Sequence, residues 1–366
     1  MMDDVDGWAL DDKTLTPVVR DRDQVLTALA EAGPLDRLFY LNLLDRRPEA
    51  HAEAAALLAD PPDDSWRLLL LAADLHRFDG DFELSRQLQD RAWRQALTRG
   101  RQAVSLQHMG KLCFDAGALD EAAARFELAW TLRRGFDQPE LVASSEQALR
   151  RVRELAGFDA IVLAGGAGVR LGGRTLGAKA LIRLGGWPLA DHVLLATSAA
   201  GHRIQVGPTR IALAEPSFVL EDPPGAGPVA AIAAGLARVT APLVAVLAGD
   251  LPFVGPALAS LRRAAKAVDV AALVDPTGRT NYLAAVWQTD ALRASLARLT
   301  STTNAPMRAL YDGVEVAHVP DFDAASADVD TPDDLAVAAD RLRRRSPGRL
   351  PASPLAWPRL ELHAPS

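Results

Sequence analysis

From about residue 22 to 155, apolar positions recur at the spacing of a helix. Leu68, Leu71, Ala72 and Leu75, then Leu88, Ala92 and Trp93, mark one apolar stripe on each helix and leave the other faces polar. Pro34, Pro48, Pro61, Pro62 and Pro139 stand where helices would stop or start, and no stretch of this part alternates as a strand would. Near residue 157 the pattern changes. Short apolar runs predict strands over 158–163, 203–206, 217–220, 242–248, 269–274, 282–287 and 314–319. Helical periods lie between them at 188–199, 228–238, 254–267, 290–299 and 332–344. This alternation is that of an α/β domain: a three-layer, Rossmann-like arrangement on a mostly parallel sheet, with ligands at the carboxyl ends of its strands. The expected organisation is an all-α domain over 1–156, an α/β domain over 157–344 and a Pro-rich tail over 345–366, which holds five prolines.

Within the helical part, Gly80, Phe82, Ala92 and Trp93 return as Gly117, Leu119, Ala129 and Trp130, a constant offset of 37 residues. Each unit reads as helix, turn, helix. Gly110, Ala122, Phe126 and Ala129 have the small-and-large spacing of a tetratricopeptide repeat, in which small residues let paired helices approach and Phe126 fills the gap. The region resembles a short tetratricopeptide array, with one good unit and one degenerate unit carrying Ala73, Ser85 and Gln89 at the matching places. A helix over 139–155 would cap the stack. The plainer alternative is a helical bundle with Trp66, Trp93 and Trp130 in its core. Repeat arrays present concave surfaces to partners. His51, His76 and His108 are scattered along the sequence and propose no metal site.

The 366 residues exceed one ordinary core, and with 49% apolar and 24% charged residues they suffice for two. A net charge of -7 argues against a nucleic-acid footprint over the whole molecule. One cysteine, Cys113, excludes an intrachain disulfide and a multi-cysteine metal site. The acidic start MMDDVDGWALDDK has no signal-peptide pattern, and no apolar run reaches membrane-spanning length, so a soluble, cytoplasmic protein is expected.

The chemistry concentrates after the first strand of the α/β part. Residues 165–186 hold eight glycines, and such a loop bares N–H groups to a polyphosphate without an intervening Cβ. A Walker loop is absent, and Leu171 stands where a dinucleotide fingerprint needs its third glycine. Arg170 and Lys179 add positive charge. Asp250 follows the most apolar strand at its carboxyl end, where a carboxylate suits Mg²⁺, unless it merely caps a helix beginning near Pro252. Asp328 and Asp330 precede Thr331-Pro332, so one of Asp330 and Thr331 would cap the last helix while a second carboxylate faces the site. Gly225, Gly227 and Pro228 open another helix whose N–H groups are positioned for a substrate. His192, His202 and His318 pair with no nucleophile and read as structural.

These residues carry a family resemblance. LAGGAGVRLGG followed by Lys179 resembles the LAGGxxxRMGG…DK signature of the molybdenum-cofactor guanylyltransferases, the MobA-like nucleotidyltransferases. LIRLGGWPLADHV at 181–193, EDPPGAGPVAAIAAGL at 221–236, LAGDLPFV at 247–254 and DVDTPDDL at 328–335 resemble further family motifs in the same order. The resemblance implies a nucleotidyltransferase domain. It assigns nucleotide binding to Leu163, Ala164, Gly165, Gly166, Gly168, Lys179, Asp222 and Asp250, catalytic positioning of the triphosphate to Arg170 and Lys179, and Mg²⁺ to Asp250 and Asp330. It further implies GTP as donor and a molybdopterin-type acceptor, so that GMP is transferred to the pterin phosphate and pyrophosphate leaves. Departures are Ala178 in place of the usual Asp, about three extra residues around Thr175 to Gly177, VGPTR at 206–210 in place of an asparagine-bearing segment, and aspartates at 328 and 330 where the family has asparagines. Rival readings are a CTP-dependent molybdopterin cytidylyltransferase, a transferase for another phosphometabolite, and a non-catalytic scaffold. The helical repeats are expected to recruit a protein partner, a molybdoenzyme or its maturation factor.

Overall fold

The computed structural model describes residues 7–61, 63–136, 138–172, 177–208 and 216–345. The Pro-rich tail, part of the lengthened loop before Gly177, and Thr209 and Arg210 of the VGPTR segment lie outside them. The chain divides into two compact units between Val152 and Arg153.

The first unit opens with an antiparallel pair, β1 (Trp8–Leu10) and β2 (Pro17–Val19), so the all-α expectation for residues 1–156 is corrected at its start. Strands of three residues are too short to display an alternation. Their turn is set by Asp11, whose Oδ1 accepts the N–H groups of Lys13 at 3.0 Å and Thr14 at 2.8 Å. Eight helices follow: α1 (Arg22–Glu31), α2 (Pro34–Leu43), α3 (Arg47–Ala59), α4 (Trp66–Phe78), α5 (Phe82–Gln95), α6 (Arg99–Asp115), α7 (Leu119–Arg133) and α8 (Pro139–Ala156). Asp21, Asp81 and Thr98 cap α1, α5 and α6 through side-chain oxygens that accept backbone N–H groups.

Helices α4 and α5 pack as a pair, as do α6 and α7. Their approach is set by size: a Cβ on Gly110 would lie 2.5 Å from the ring of Phe126, which is wholly buried. In the α4–α5 pair the matching places hold Ala73 and Gln89, both buried, and Gln89 donates to the His108 carbonyl at 3.3 Å. Trp66, Trp93 and Trp130 are only half-buried, contrary to a bundle with tryptophans at its centre. Trp66 donates to Ser105 and Trp130 to Glu146, each at 3.0 Å, because a side chain with one N–H settles where one edge meets a polar partner. Cys113 is fully buried, and burial pushes its thiol up to about 12, so it is not a nucleophile.

The second unit is built on a seven-stranded sheet. In chain order its main elements are β3 (Phe158–Leu163), two two-residue strands β4 (Arg183–Leu184) and β5 (Trp187–Pro188) paired as a hairpin, α9 (Leu189–Ala196), β6 (Arg203–Val206), β7 (Ser217–Val219), α10 (Pro228–Leu236), β8 (Leu243–Ala248), α11 (Leu258–Ala265), β9 (Val270–Val274), β10 (Thr280–Gln288), α12 (Thr289–Ala297), β11 (Val316–Pro320) and α13 (Pro332–Arg345). The strand order is β11-β9-β10-β8-β3-β6-β7. Every pairing is parallel except those of β10, which runs antiparallel to both β8 and β9. The mostly parallel α/β expectation holds, with β10 as the reversed strand.

Alternate strand residues explain the layers. Ile161, Val246, Ala272 and Trp287 join one core with Val229 and Ile232 of α10 and Leu292 of α12. Their neighbours Ala160, Val162, Leu247, Ala271 and Val286 are equally buried on the opposite face, where α9 packs on β3 and α11 on β9 and β10. A sheet covered on both faces needs strands that are apolar throughout, which is why these segments read as continuous runs. Among the described residues no helix is long and apolar enough to cross a membrane.

Candidate active site

The carboxyl ends of β3 and β8 lie side by side, with Leu163 paired to Ala248. The turn after β8 presses against the turn after β3: Gly249 donates to the Leu163 carbonyl at 2.9 Å, and a Cβ on Gly249 would meet that same oxygen at 2.9 Å. Only glycine fits there, and it delivers the next residue, Asp250, to the strand ends.

The glycine-rich loop folds back on itself. Gly177 donates to the Gly165 carbonyl at 3.2 Å and Lys179 to the Gly166 carbonyl at 3.1 Å, which brings Lys179 over Gly166 and Gly168 despite the lengthened loop and the Ala178 departure. Lys179 Nζ donates to Asp250 Oδ2 and to Asp330 Oδ1. Burial alone would lower the pKa of this ammonium, but Asp250 and then Asp330 hold it above its ordinary value. Asp328 stands nearby, its carboxyl raised by partial burial and by the charges of Asp330 and Asp250. Arg170 is 76% exposed and its guanidinium lies 3.9 Å from Asp330 Oδ2.

Packing fixes the two carboxylates. Val329, beside Asp330, is buried with Leu184, Leu189, Phe253 and Ala338 in a small core. Thr331 begins α13: its Oγ1 accepts the Asp334 N–H at 3.2 Å, while Asp334 Oδ2 accepts the Thr331 N–H at 2.8 Å. This reciprocal cap leaves Asp330 to Lys179. Asp250 caps no helix either, since α11 starts only at Leu258 behind a 3₁₀ turn.

A cavity of about 390 Å³ opens between the β3 and β8 turns and α10. Leu163, Ala164, Gly165 and Gly166 line it, as do Lys179 and Asp250. Gly225, Gly227 and Pro228 at the start of α10 complete the wall. Gly168 packs against Lys179, and Asp222 is exposed and is not among the residues that line the cavity. Its neighbour Glu221 takes that place. It is 6% exposed, its Oε1 accepts the Gly225 N–H at 2.9 Å, and its Oε2 is buried without a partner among the described residues. The acidic pair was visible in the sequence, but the member that faces inward is fixed by the pairing of β7 and the bend after it. His192, His202 and His318 stay outside: buried His192 contacts the Leu184 carbonyl at 2.9 Å, and the other two contact Thr240 and Thr280.

The donor set suits a hard divalent cation. Asp250 Oδ1 is buried with no hydrogen-bond partner among the described residues, while Lys179 pairs with the other Asp250 oxygen and with Asp330. One or two carboxylates beside a glycine-rich loop match the preference of Mg²⁺.

Residues 160–319 match the model of the MobA-like NTP transferase domain. A molybdenum cofactor guanylyltransferase of Rhodobacter capsulatus is 38% identical over 201 residues, which cover 51% of this chain and 97% of that protein. Similar solved structures include a 2-C-methyl-D-erythritol 4-phosphate cytidylyltransferase of Thermus thermophilus, at 22% identity and TM-score 0.40 over 50% of this chain and 98% of that one. Another is a nucleotidyl transferase of Methanothermobacter thermautotrophicus, at 23% identity and TM-score 0.41 over 51% and 98%. Strand order, glycine-rich loop and converging Lys179, Asp250 and Asp330 thus accompany a near full-length match to a relative, and the chain belongs to the MobA-like NTP transferases.

Proposed function

We propose that this nucleotidyltransferase moves GMP from GTP to the terminal phosphate of molybdenum-bound molybdopterin. An acceptor phosphate oxygen attacks the α-phosphorus, a new P–O bond forms, the bond to the bridging oxygen breaks, and pyrophosphate leaves. The observation that carries this reading is the meeting of Lys179, Asp250 and Asp330 at a glycine-lined cavity, in a chain that spans nearly all of a guanylyltransferase relative.

The acceptor is already an anion, so no strong base is required and catalysis reduces to positioning and charge. The N–H groups of Gly165 and Gly166 and the start of α10 receive phosphate oxygens, and Lys179 and Arg170 neutralise them. Asp250 and Asp330 would hold Mg²⁺, which when bound offsets the charge of the leaving pyrophosphate. Glu221 and the backbone of Leu163 to Gly165 read the base. A carboxylate accepts both N–H donors of the guanine Watson–Crick edge, whereas cytosine and adenine each set an acceptor beside their one amino group. The helical unit recruits the molybdoenzyme or its maturation factor.

The test is mass-spectrometric detection of products from purified protein, Mg²⁺ and molybdenum-loaded molybdopterin with GTP, CTP or ATP. A guanine dinucleotide product is expected. A cytidine product would transfer the reading to the cytidylyltransferase, and no product from any nucleotide would remove the molybdopterin acceptor. For the partner, a chain lacking residues 1–156 should make the product yet fail to load a target enzyme. Equal loading by the two would refute recruitment.

A further inference from the structure

In the helical unit the fold gathers two histidines that stand far apart in sequence. His51 on α3 and His76 in the last turn of α4 meet with ring centres 5.2 Å apart and ring planes at 60°, which corrects the expectation that these histidines are scattered. Asp79, at the end of α4, closes the group: His51 Nε2 lies 2.6 Å from Asp79 Oδ2, and one ligand atom from each of the three residues falls within 4.8 Å of the others.

We propose that His51, His76 and Asp79 bind one divalent transition ion of the zinc type, with water as the fourth ligand, and that this ion clasps α3 to the end of α4. The ring spacing carries the inference furthest. With a Zn–N bond of about 2.05 Å, a ligating imidazole places its centre about 3.2 Å from the ion, so two rings at a tetrahedral angle stand about 5.2 Å apart. That separation is the one found here between two rings held by different helices.

The surroundings agree. Asp79 Oδ1 accepts from the Arg47 guanidinium at 2.8 Å, and Arg47 is itself held by Asp45 at 2.8 Å, so Asp79 is oriented with Oδ2 toward the histidines, as carboxylate ligands commonly are by an outer hydrogen bond. The site lies at the carboxyl end of α4, where the helix dipole favours a cation. Asp81 adds negative charge beside His76.

The test uses the full chain stripped of metal and supplied with excess Mg²⁺ to occupy the cavity carboxylates. Titration with Co²⁺ should give one equivalent with the intense visible absorption of a tetrahedral nitrogen and oxygen site, displaced by Zn²⁺. His51→Ala and His76→Ala should each lose that spectrum and weaken zinc binding, read by competition with a chromophoric chelator, by about 100-fold or more, with unchanged circular dichroism and GTP binding. Asp250→Ala should keep the spectrum. A wild-type chain without the spectrum, a His76→Ala variant that retains it, or its loss on Asp250→Ala would each overturn the site.

Discussion

At the residue scale the active site depends on side chains whose neighbours leave them little choice. Asp250 is delivered by a glycine that no other residue can replace and keeps one oxygen without a partner among the described residues. Asp250→Ala is therefore expected to lower kcat by about 100-fold or more while the fold is kept, measured as pyrophosphate release alongside circular dichroism. Unchanged turnover would exclude Asp250 from the chemistry. In the proposed function Glu221 acts on recognition. Glu221→Gln exchanges one acceptor for a donor, so KM for GTP should rise about 10-fold with kcat nearly constant, and the preference for GTP over CTP should narrow. An effect on kcat alone would place Glu221 elsewhere in the mechanism.

Asp191 shows how burial at a single residue couples stability to pH. It sits on α9, is 7% exposed, and burial raises its carboxyl to about 7 although Arg183 opposes the shift. The folded chain thus holds the proton more tightly than the unfolded chain, whose carboxyl has its ordinary pKa of 3.8. The contribution is complete below about pH 4 and is lost as pH rises through about 7. Asp191→Asn should gain stability over wild type by a few kcal/mol at pH 8 and converge with it near pH 4 in urea titrations. Parallel stability curves across this range would show that Asp191 is ionised in the fold.

At the scale of elements, the α6–α7 pair tests whether small residues set helix approach. Gly110→Ala drives a methyl into the Phe126 ring and should cost about 1–3 kcal/mol, part of which Phe126→Leu in the same chain should restore. A neutral Gly110→Ala in chemical denaturation would mean that the pair slides apart freely. In the second unit, short strands dominated by apolar residues were readable because both faces are covered. The three-residue strands β1 and β2 were not, since their pairing is held by turn hydrogen bonds around Asp11 and leaves no period to read.

At the scale of the whole molecule, each unit has its own apolar core, and calorimetry should resolve a transition for each. GTP with Mg²⁺ should raise only the transition of the unit that begins at Arg153, by about 2.7 kcal/mol when the nucleotide is 100 times its Kd. A nucleotide that raised the other transition alone would contradict the placement of the site.

The sequence by itself determined the local quantities. Helical periods, seven strands, the glycine-rich loop, and Lys179, Asp250 and Asp330 as candidate site residues were legible because each depends on spacing along the chain or on a motif a few residues long. Tertiary structure decided what depends on distance between remote segments. It reversed β10 within an otherwise parallel sheet, since strand direction is set by how the connections pack and not by apolar content. It placed Glu221 in the cavity and Asp222 outside, assigned the cap of α13 to Thr331 and so released Asp330. It also brought His51 to His76 across two helices, an approach with no signature in a sequence where 25 positions separate them.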